Sequence, residues 1–239
     1  MSQNTLLHTA PTMADVRAVS PILEHYTINE IENGLWKKPE LSPRDRSIVT
    51  LAVLISRNQT IDMLNYFNIT LDNGVKPAEL SELVTHVAFY TGWSNGFSAV
   101  PVLKIVFTQR NIGMNQLPAV SPQLMSLDMV AEEKRATAVE QNLGSISPGL
   151  VQYTSDLVFH NLWLRPDLQI RDRCLATVSA LIAMNHVGNI TYHLNKAMDN
   201  GLTKIQAGEL LTHLAFYAGW SCAFLAAPVV KEVLLNRPD

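Results

Sequence analysis

Shifted by 127 residues, the chain lies over itself without a gap, and this duplication constrains its fold more than any other feature. The segment WKKPELSPRDRSIVT from Trp36 meets WLRPDLQIRDRCLAT from Trp163. Further on, ELVTHVAFYTGWSNGFSAVPVLKIVF from Glu82 meets ELLTHLAFYAGWSCAFLAAPVVKEVL from Glu209. Of the 75 paired positions from Trp36 to Arg110, 31 are identical. Upstream, Ser20-Pro21 and Tyr26-Thr27 pair with Ser147-Pro148 and Tyr153-Thr154. A self-match of this length marks a tandem of two like units, near 14–110 and 128–239, joined by a linker over 111–127. The linker is rich in Asn, Pro and Gly, the residues that break regular structure.

Each unit reads as helices. Ser20-Pro21 and Ser42-Pro43 combine an N-cap hydroxyl with proline at the first helical position, where its missing N–H costs nothing. After Ser42, the apolar residues Ile48, Leu51, Ala52, Leu54 and Ile55 recur at helical spacing. Asn73-Gly74 and Asn200-Gly201 stop a helix, because glycine adopts the left-handed conformation cheaply. Pro77 opens a helix running to about Tyr90, and Gly92 breaks it. Ser94 and Ser221 are placed to cap the last helix of each unit, whose early turns carry Pro101 or Pro228 and so predict a kink. Leu124 to Gly144 reads as one further helix leading into the second unit. With no alternating β-branched run, the fold class is all-α.

Composition narrows the function. Hydrophobic residues make up 47% of the chain and charged residues only 16%, which predicts apolar surface buried between subunits. A net charge of −3 and a pI near 6.2 provide no basic footprint, so nucleic acid is not an expected partner. No run approaches the roughly 18 apolar residues of a membrane span. The opening MSQNTLLHTAPTMADV lacks the charged and apolar regions of a secretory signal. Cys174 and Cys222 form no CxxC and no metal spacing, and read as small buried apolar residues in a reducing, cytoplasmic setting.

The string LSPRDRSIVTLAVL, the Asn-Gly stop and the THVAFYTGWS or THLAFYAGWS segment follow one another in this order in each half. This arrangement resembles the carboxymuconolactone decarboxylase family, which shares its fold with the alkylhydroperoxidase-D-like proteins. The run Trp163-x-Arg165-Pro166-x-Leu168 leading into Arg171-Asp172-Arg173 is especially similar to the decarboxylase branch. The resemblance implies two alkylhydroperoxidase-D-like helical units packed on each other. Single-unit relatives form closed rings, so it also implies a homo-oligomer, a trimer imitating a hexamer of single units.

In the redox branch, the resemblance implies a CxxCxxxH helix with a glutamate about twelve residues before the first cysteine. The matching positions here are His186, Asn189 and His193 with Cys174 in the second unit, and Gln59, Asp62 and Tyr66 with Ser47 in the first. Neither unit has a thiol pair, so peroxidase-like antioxidant chemistry by that route is disfavoured, though a lone peroxidatic Cys174 is an alternative. The decarboxylase branch implies a small-molecule substrate, an unsaturated lactone whose ring accepts the electrons left by CO₂, so that no cofactor is needed. The protein must hold the carboxylate, stabilise charge on the lactone oxygen and deliver a proton to carbon. Histidine suits the last task, and arginine suits the carboxylate.

His193 and His186, seven apart and so two turns along one face of a helix, are the candidate catalytic pair, His193 as acid–base with His186 assisting. His86 and His213 of the duplicated motif, Arg44 and Arg171 at the start of a helix, and Trp93 and Trp220 after the glycine break are candidate substrate-binding residues. Each has a structural alternative: a hydrogen-bonded core histidine, a salt-bridge cluster, a packed indole. No metal site is expected, because no two histidines and a carboxylate stand at ligand spacing. The leading reading is a cofactor-independent decarboxylase-type lyase; a non-catalytic small-ligand-binding module is the remaining alternative. A site of this kind requires His186, His193 and an arginine to converge on a cavity of roughly 300 Å³.

Overall fold

A computed structural model of the chain describes residues 10–238; most of the opening segment and the last residue, both included in the readings above, lie outside the described residues. Among those residues there is no β-strand. The first unit contains α1 (Met13–Val19), α2 (Pro21–Tyr26), α3 (Pro43–Ser56), α4 (Thr60–Asp72), α5 (Pro77–Thr91) and α6 (Trp93–Gln109). The second contains α7 (Met129–Leu143), α8 (Pro148–Tyr153), α9 (Ile170–Ala183), α10 (Ile190–Asp199), α11 (Lys204–Tyr217) and α12 (Trp220–Leu235). Helices α2 and α8 run on into π-helical turns, Thr27–Glu32 and Thr154–Phe159, and each is followed by a 3-10 turn, Leu35–Lys37 and Leu162–Leu164.

The 127-residue offset holds at the level of single dihedral angles. Positive φ recurs at Asn58 and Asn185, at Gly74 and Gly201, and at Gly92 and Gly219. Gly92, at φ 100°, ψ 145°, occupies a region essentially closed to other residues, and it lets α5 end and α6 begin with no connecting loop. The last helix of each unit therefore starts at Trp93 or Trp220 with the glycine as N-cap, and Ser94 and Ser221 make no capping bond. Ser42 caps α3 as its sequence predicts, its Oγ accepting the Asp45 N–H at 3.0 Å. Helices α6 and α12 continue past Pro101 and Pro228. The helix expected over Leu124 to Gly144 is shorter: α7 begins at Met129, capped by Asp128 Oδ1, which accepts the Val130 and Ala131 N–H groups at 3.1 Å. The segment before it is held instead by Met125 N–H donating to Leu164 O at 2.7 Å.

The units interlock. Helices α3 and α9 are buried from Asp45 to Ser56 and from Asp172 to Ala183, and they pack on each other at the centre. Helix α5 of the first unit packs on α9 of the second, and α11 of the second packs on α3 of the first. One apolar core, including Ile48, Leu51, Phe67, Leu175, Leu210 and Leu214, runs through both halves. Helices apolar on every side need this central placement, because each face requires a partner. The consequence for function is geometric: the THxAFY helix of each unit lies against the RDR helix of the other.

Candidate active site

Two clusters form where the units cross, related by the 127-residue repeat. In one, α5 places His86 and Tyr90 a turn apart, and α9 places Arg173 and Thr177 a turn apart opposite them. Arg173 Nη1 lies 3.5 Å from His86 Nδ1, and His86 Nε2 lies 2.8 Å from Thr177 Oγ1. Thr177 directs its own proton to Arg173 O at 2.8 Å. Arginine can only donate, so His86 accepts at Nδ1 and carries its proton on Nε2. His213 is held in the same way by Arg46 at 3.3 Å and Thr50 at 2.8 Å. Burial, and then the facing arginine, push the pKa of both histidines down, that of His213 to about 3. Both are neutral, fully buried braces between units.

The arginines are equally committed. Arg173 is fully buried, donating to Leu168 O, Arg165 O and Glu82 Oε2 at 3.0, 2.9 and 2.7 Å. Arg46 is its counterpart, paired with Glu209 at 2.9 Å. Arg44 pairs with Asp172 at 2.8 Å and with Glu79, and Arg171 pairs with Asp45 at 2.7 Å. Arg44 and Arg171 thus clasp the two units together with their charges engaged by protein carboxylates.

The clusters diverge where α4 and α10 meet them. In the first unit, Trp36 Nε1–H donates to Tyr217 Oη at 2.7 Å, and Tyr66 Oη lies 2.7 Å from the same oxygen. In the second, Trp163 Nε1–H donates to Tyr90 Oη at 2.9 Å, and His193 stands where Tyr66 would close the chain. His193 is 6% exposed, stacked on Trp163 at 5.7 Å and met edge-on by Tyr90 at 5.2 Å and Tyr192 at 5.0 Å. Its Nδ1 is buried without a hydrogen-bond partner. Burial first, then the Lys196 charge, push its pKa down to about 3. A buried polar atom with no partner costs on the order of 1–3 kcal/mol, and strain, a bound water or ion, or a working role accounts for such atoms in native proteins.

The other sequence-selected residues do not join His193. His186 is exposed and precedes a 3-10 turn, Val187–Asn189, so no helix carries it onto the face of His193. Trp93 and Trp220 are 55% and 54% exposed and belong to surface patches with Phe89 and Phe97 and with Phe216 and Phe224. Cys174, in the relay position, is fully buried with its thiol pushed up to about 12 by burial, and Cys222 is buried too. Among the described residues no group of three or more His, Cys, Asp or Glu side chains is placed to hold a metal.

A cavity of about 80 Å³ adjoins the second cluster, walled by Phe159, Trp163, Tyr192, Lys196, Glu132 and Asp128. It is smaller than the expected 300 Å³, and its free cation is a lysine. Sequence reasoning missed Lys196, which follows His193 by three residues and thus shares its helix face. The self-comparison did not single it out: α4 and α10 lie in the most divergent stretch of the repeat, where Tyr66 and Ile69 stand opposite His193 and Lys196 among many other changes.

The family model for the carboxymuconolactone decarboxylase family matches residues 25–104 and 148–232. A 4-carboxymuconolactone decarboxylase of Acinetobacter baylyi is 29% identical over 104 residues, which is 44% of this chain and 78% of that protein. A nitrosuccinic acid decarboxylase of Metarhizium robertsii is 28% identical over 112 residues, 47% of this chain and 78% of that protein. Each alignment is about the length of one unit.

Proposed function

The chain belongs to the carboxymuconolactone decarboxylase family, and on that premise we propose that it is a carboxy-lyase acting on a small cyclic carboxylate or lactone, with His193 as its acid–base group. The observation that carries the reading is the buried, unpartnered Nδ1 of His193 in an aromatic box built by both units, where the first cluster has Tyr66 hydrogen-bonded instead. By their names, the two relatives act on acids whose remainder, a lactone or a nitro group, can hold the electron pair left by CO₂. The same demand here makes a cofactor unnecessary. The carbon–carboxylate bond breaks, its electrons spread into the ring towards the lactone oxygen, and one proton returns to carbon. In the empty site burial and Lys196 keep His193 neutral. Negative charge growing beside it reverses that balance, so the imidazole takes up a solvent proton and passes it to carbon.

Purified protein is expected to consume 4-carboxymuconolactone with release of CO₂, and Cys174→Ser is expected to leave both this turnover and a negligible peroxide consumption unchanged. Loss of peroxide consumption in that variant, with the lactone untouched, would replace the lyase by a thiol peroxidase. The buried, protonated state of Cys174 supports the first outcome.

The reading includes a trimer imitating a hexamer. The Trp93–Phe97 and Trp220–Phe224 patches are exposed at repeat-related positions, as an apolar seam closed by further copies would be. Among the described residues no helix is long and apolar enough to cross a membrane, so a lipid-spanning role does not explain these patches. Light scattering is expected to give three times the 26.5 kDa chain mass, falling when Trp93 and Trp220 are both changed to Asp. A wild-type monomer would end the ring model.

A further inference from the structure

We infer that Lys196 is the anchor for the substrate's carboxylate, holding it in the cavity walled by Trp163 and Tyr192, the two rings that pack on His193. The inference rests on the lyase reading for the identity of the acid, but the anion site itself stands on geometry.

The case begins with elimination. Arg44, Arg46, Arg165, Arg171 and Arg173 all have protein carboxylates within ion-pair distance, and Arg135 is tied to Glu132. Lys196 is half-buried in the cavity wall and, among the described residues, makes no hydrogen bond or ion pair. Its Nζ lies 5.2 Å from the Trp163 ring centroid, a cation–π contact that leaves its N–H donors open. The two acids lining the cavity are already engaged. Glu132 accepts from Arg135 and from His160 Nε2 at 2.8 Å, and Asp128 caps α7. Lys196 is therefore the cation of this cavity that no protein carboxylate holds.

The Lys196 ammonium belongs to the second unit alone. His193 and Lys196 lie one turn apart on α10, and in the first unit both are replaced together, by Tyr66 and Ile69. Where the imidazole is lost the ammonium is lost too, and the first cluster is closed by the Tyr66–Tyr217–Trp36 chain instead. A cavity of about 80 Å³ takes a carboxylate and its neighbouring atoms. The substrate class is thus a compact acid with one carboxylate seated at Lys196 and its unsaturated part turned towards His193.

The test uses 2-furoate, a planar ring acid that does not turn over, with furfuryl alcohol as its neutral analogue, titrated calorimetrically into the full chain. Wild type and His193→Ala are expected to bind 2-furoate alike, Lys196→Ile to bind it at least tenfold more weakly, and Lys196→Arg to recover most of the affinity; furfuryl alcohol is expected to separate none of them. Isoleucine is the residue the equivalent position of the first unit already accommodates, and unchanged melting would show that each variant folds. With 4-carboxymuconolactone, Lys196→Ile is expected mainly to raise KM and His193→Ala mainly to lower kcat. Equal binding of 2-furoate by wild type and Lys196→Ile, or no binding by wild type, overturns the inference. Binding that depends on Lys196 in a protein that decarboxylates no lactone acid upholds the anion site and rejects the lyase.

Discussion

Glu82→Ala is expected to cost the fold about 3–5 kcal/mol, the usual penalty for leaving a buried charge unpaired. Glu82 is 2% exposed, and its two oxygens accept from Arg165 Nε and Arg173 Nη2, both at 2.7 Å. Arg173 has no route to water: its side chain is fully buried, and burial already pulls its pKa below the ordinary arginine value. Removing the carboxylate leaves that guanidinium with two carbonyls and a neutral histidine, none of which carries the missing charge. The damage crosses the unit boundary, because Glu82 lies on α5 and Arg173 on α9. Glu209→Ala, in the repeat-related cluster, is expected to cost less. There Lys38, in the place of Arg165, stands 3.7 Å away and is 47% exposed, so less of the arrangement depends on the carboxylate. Replacing Glu82 and Arg173 together by apolar residues of similar volume is expected to recover part of the loss, since neither charge is then stranded. Urea unfolding of the three variants measures all of this. A Glu82→Ala penalty under about 1 kcal/mol would mean that water or movement relieves Arg173, and that the interlock is looser than its geometry.

The architecture was legible because it is written twice. Gly92 and Gly219 stand at the same register with φ near 100° in both, and the Asn-Gly stops and the Pro43 start are local devices whose chemistry does not depend on the rest of the chain. The site was legible in part. His193 could be selected from the self-comparison, but the side chains around it come from elements far apart in sequence, and no local rule predicts that His86 meets Thr177 across 91 positions. The RDR motif was legible in part: the salt-bridge cluster it suggests at the helix start is present, but not the division of labour within it. As a string it reads as one charged cluster at the start of a helix, yet Arg171 is half-exposed at the clasp while Arg173, two residues on, is fully buried. His186 failed on local conformation. Asn185 takes φ 60° and Gly188 weakens the turn after it, so the helix that would have aligned His186 with His193 begins only at Ile190.

His193→Ala is expected to lower kcat by about 10²–10⁴, the range for losing a positioned proton donor, while leaving stability nearly unchanged. The two halves of that expectation have one cause. The imidazole sits in a buried aromatic box with Nδ1 unpartnered, so in the resting fold it contributes packing against Trp163 and Tyr90 but no hydrogen bond to protein at that atom. Its removal relieves an orphaned polar atom as it opens a small void, and the terms oppose each other. Tyr66→Phe, at the repeat-related position, is expected to do the reverse: turnover persists, and stability falls by about 1 kcal/mol with the loss of the bond to Tyr217. The acid limb adds a further check. Because the free site holds His193 near a pKa of about 3, its protonated form is lost as pH rises through that value, and kcat/KM should show no break from this residue near 6.5, the ordinary imidazole value. A break there that survives in His193→Ala belongs to another group. If Tyr66→Phe abolishes turnover and His193→Ala spares it, the working cluster is the one closed by tyrosines, and the chemistry is phenolic. If both variants turn over like wild type, no imidazole of α10 takes part, and the orphaned nitrogen is a packing defect that the interlocked core is stable enough to tolerate.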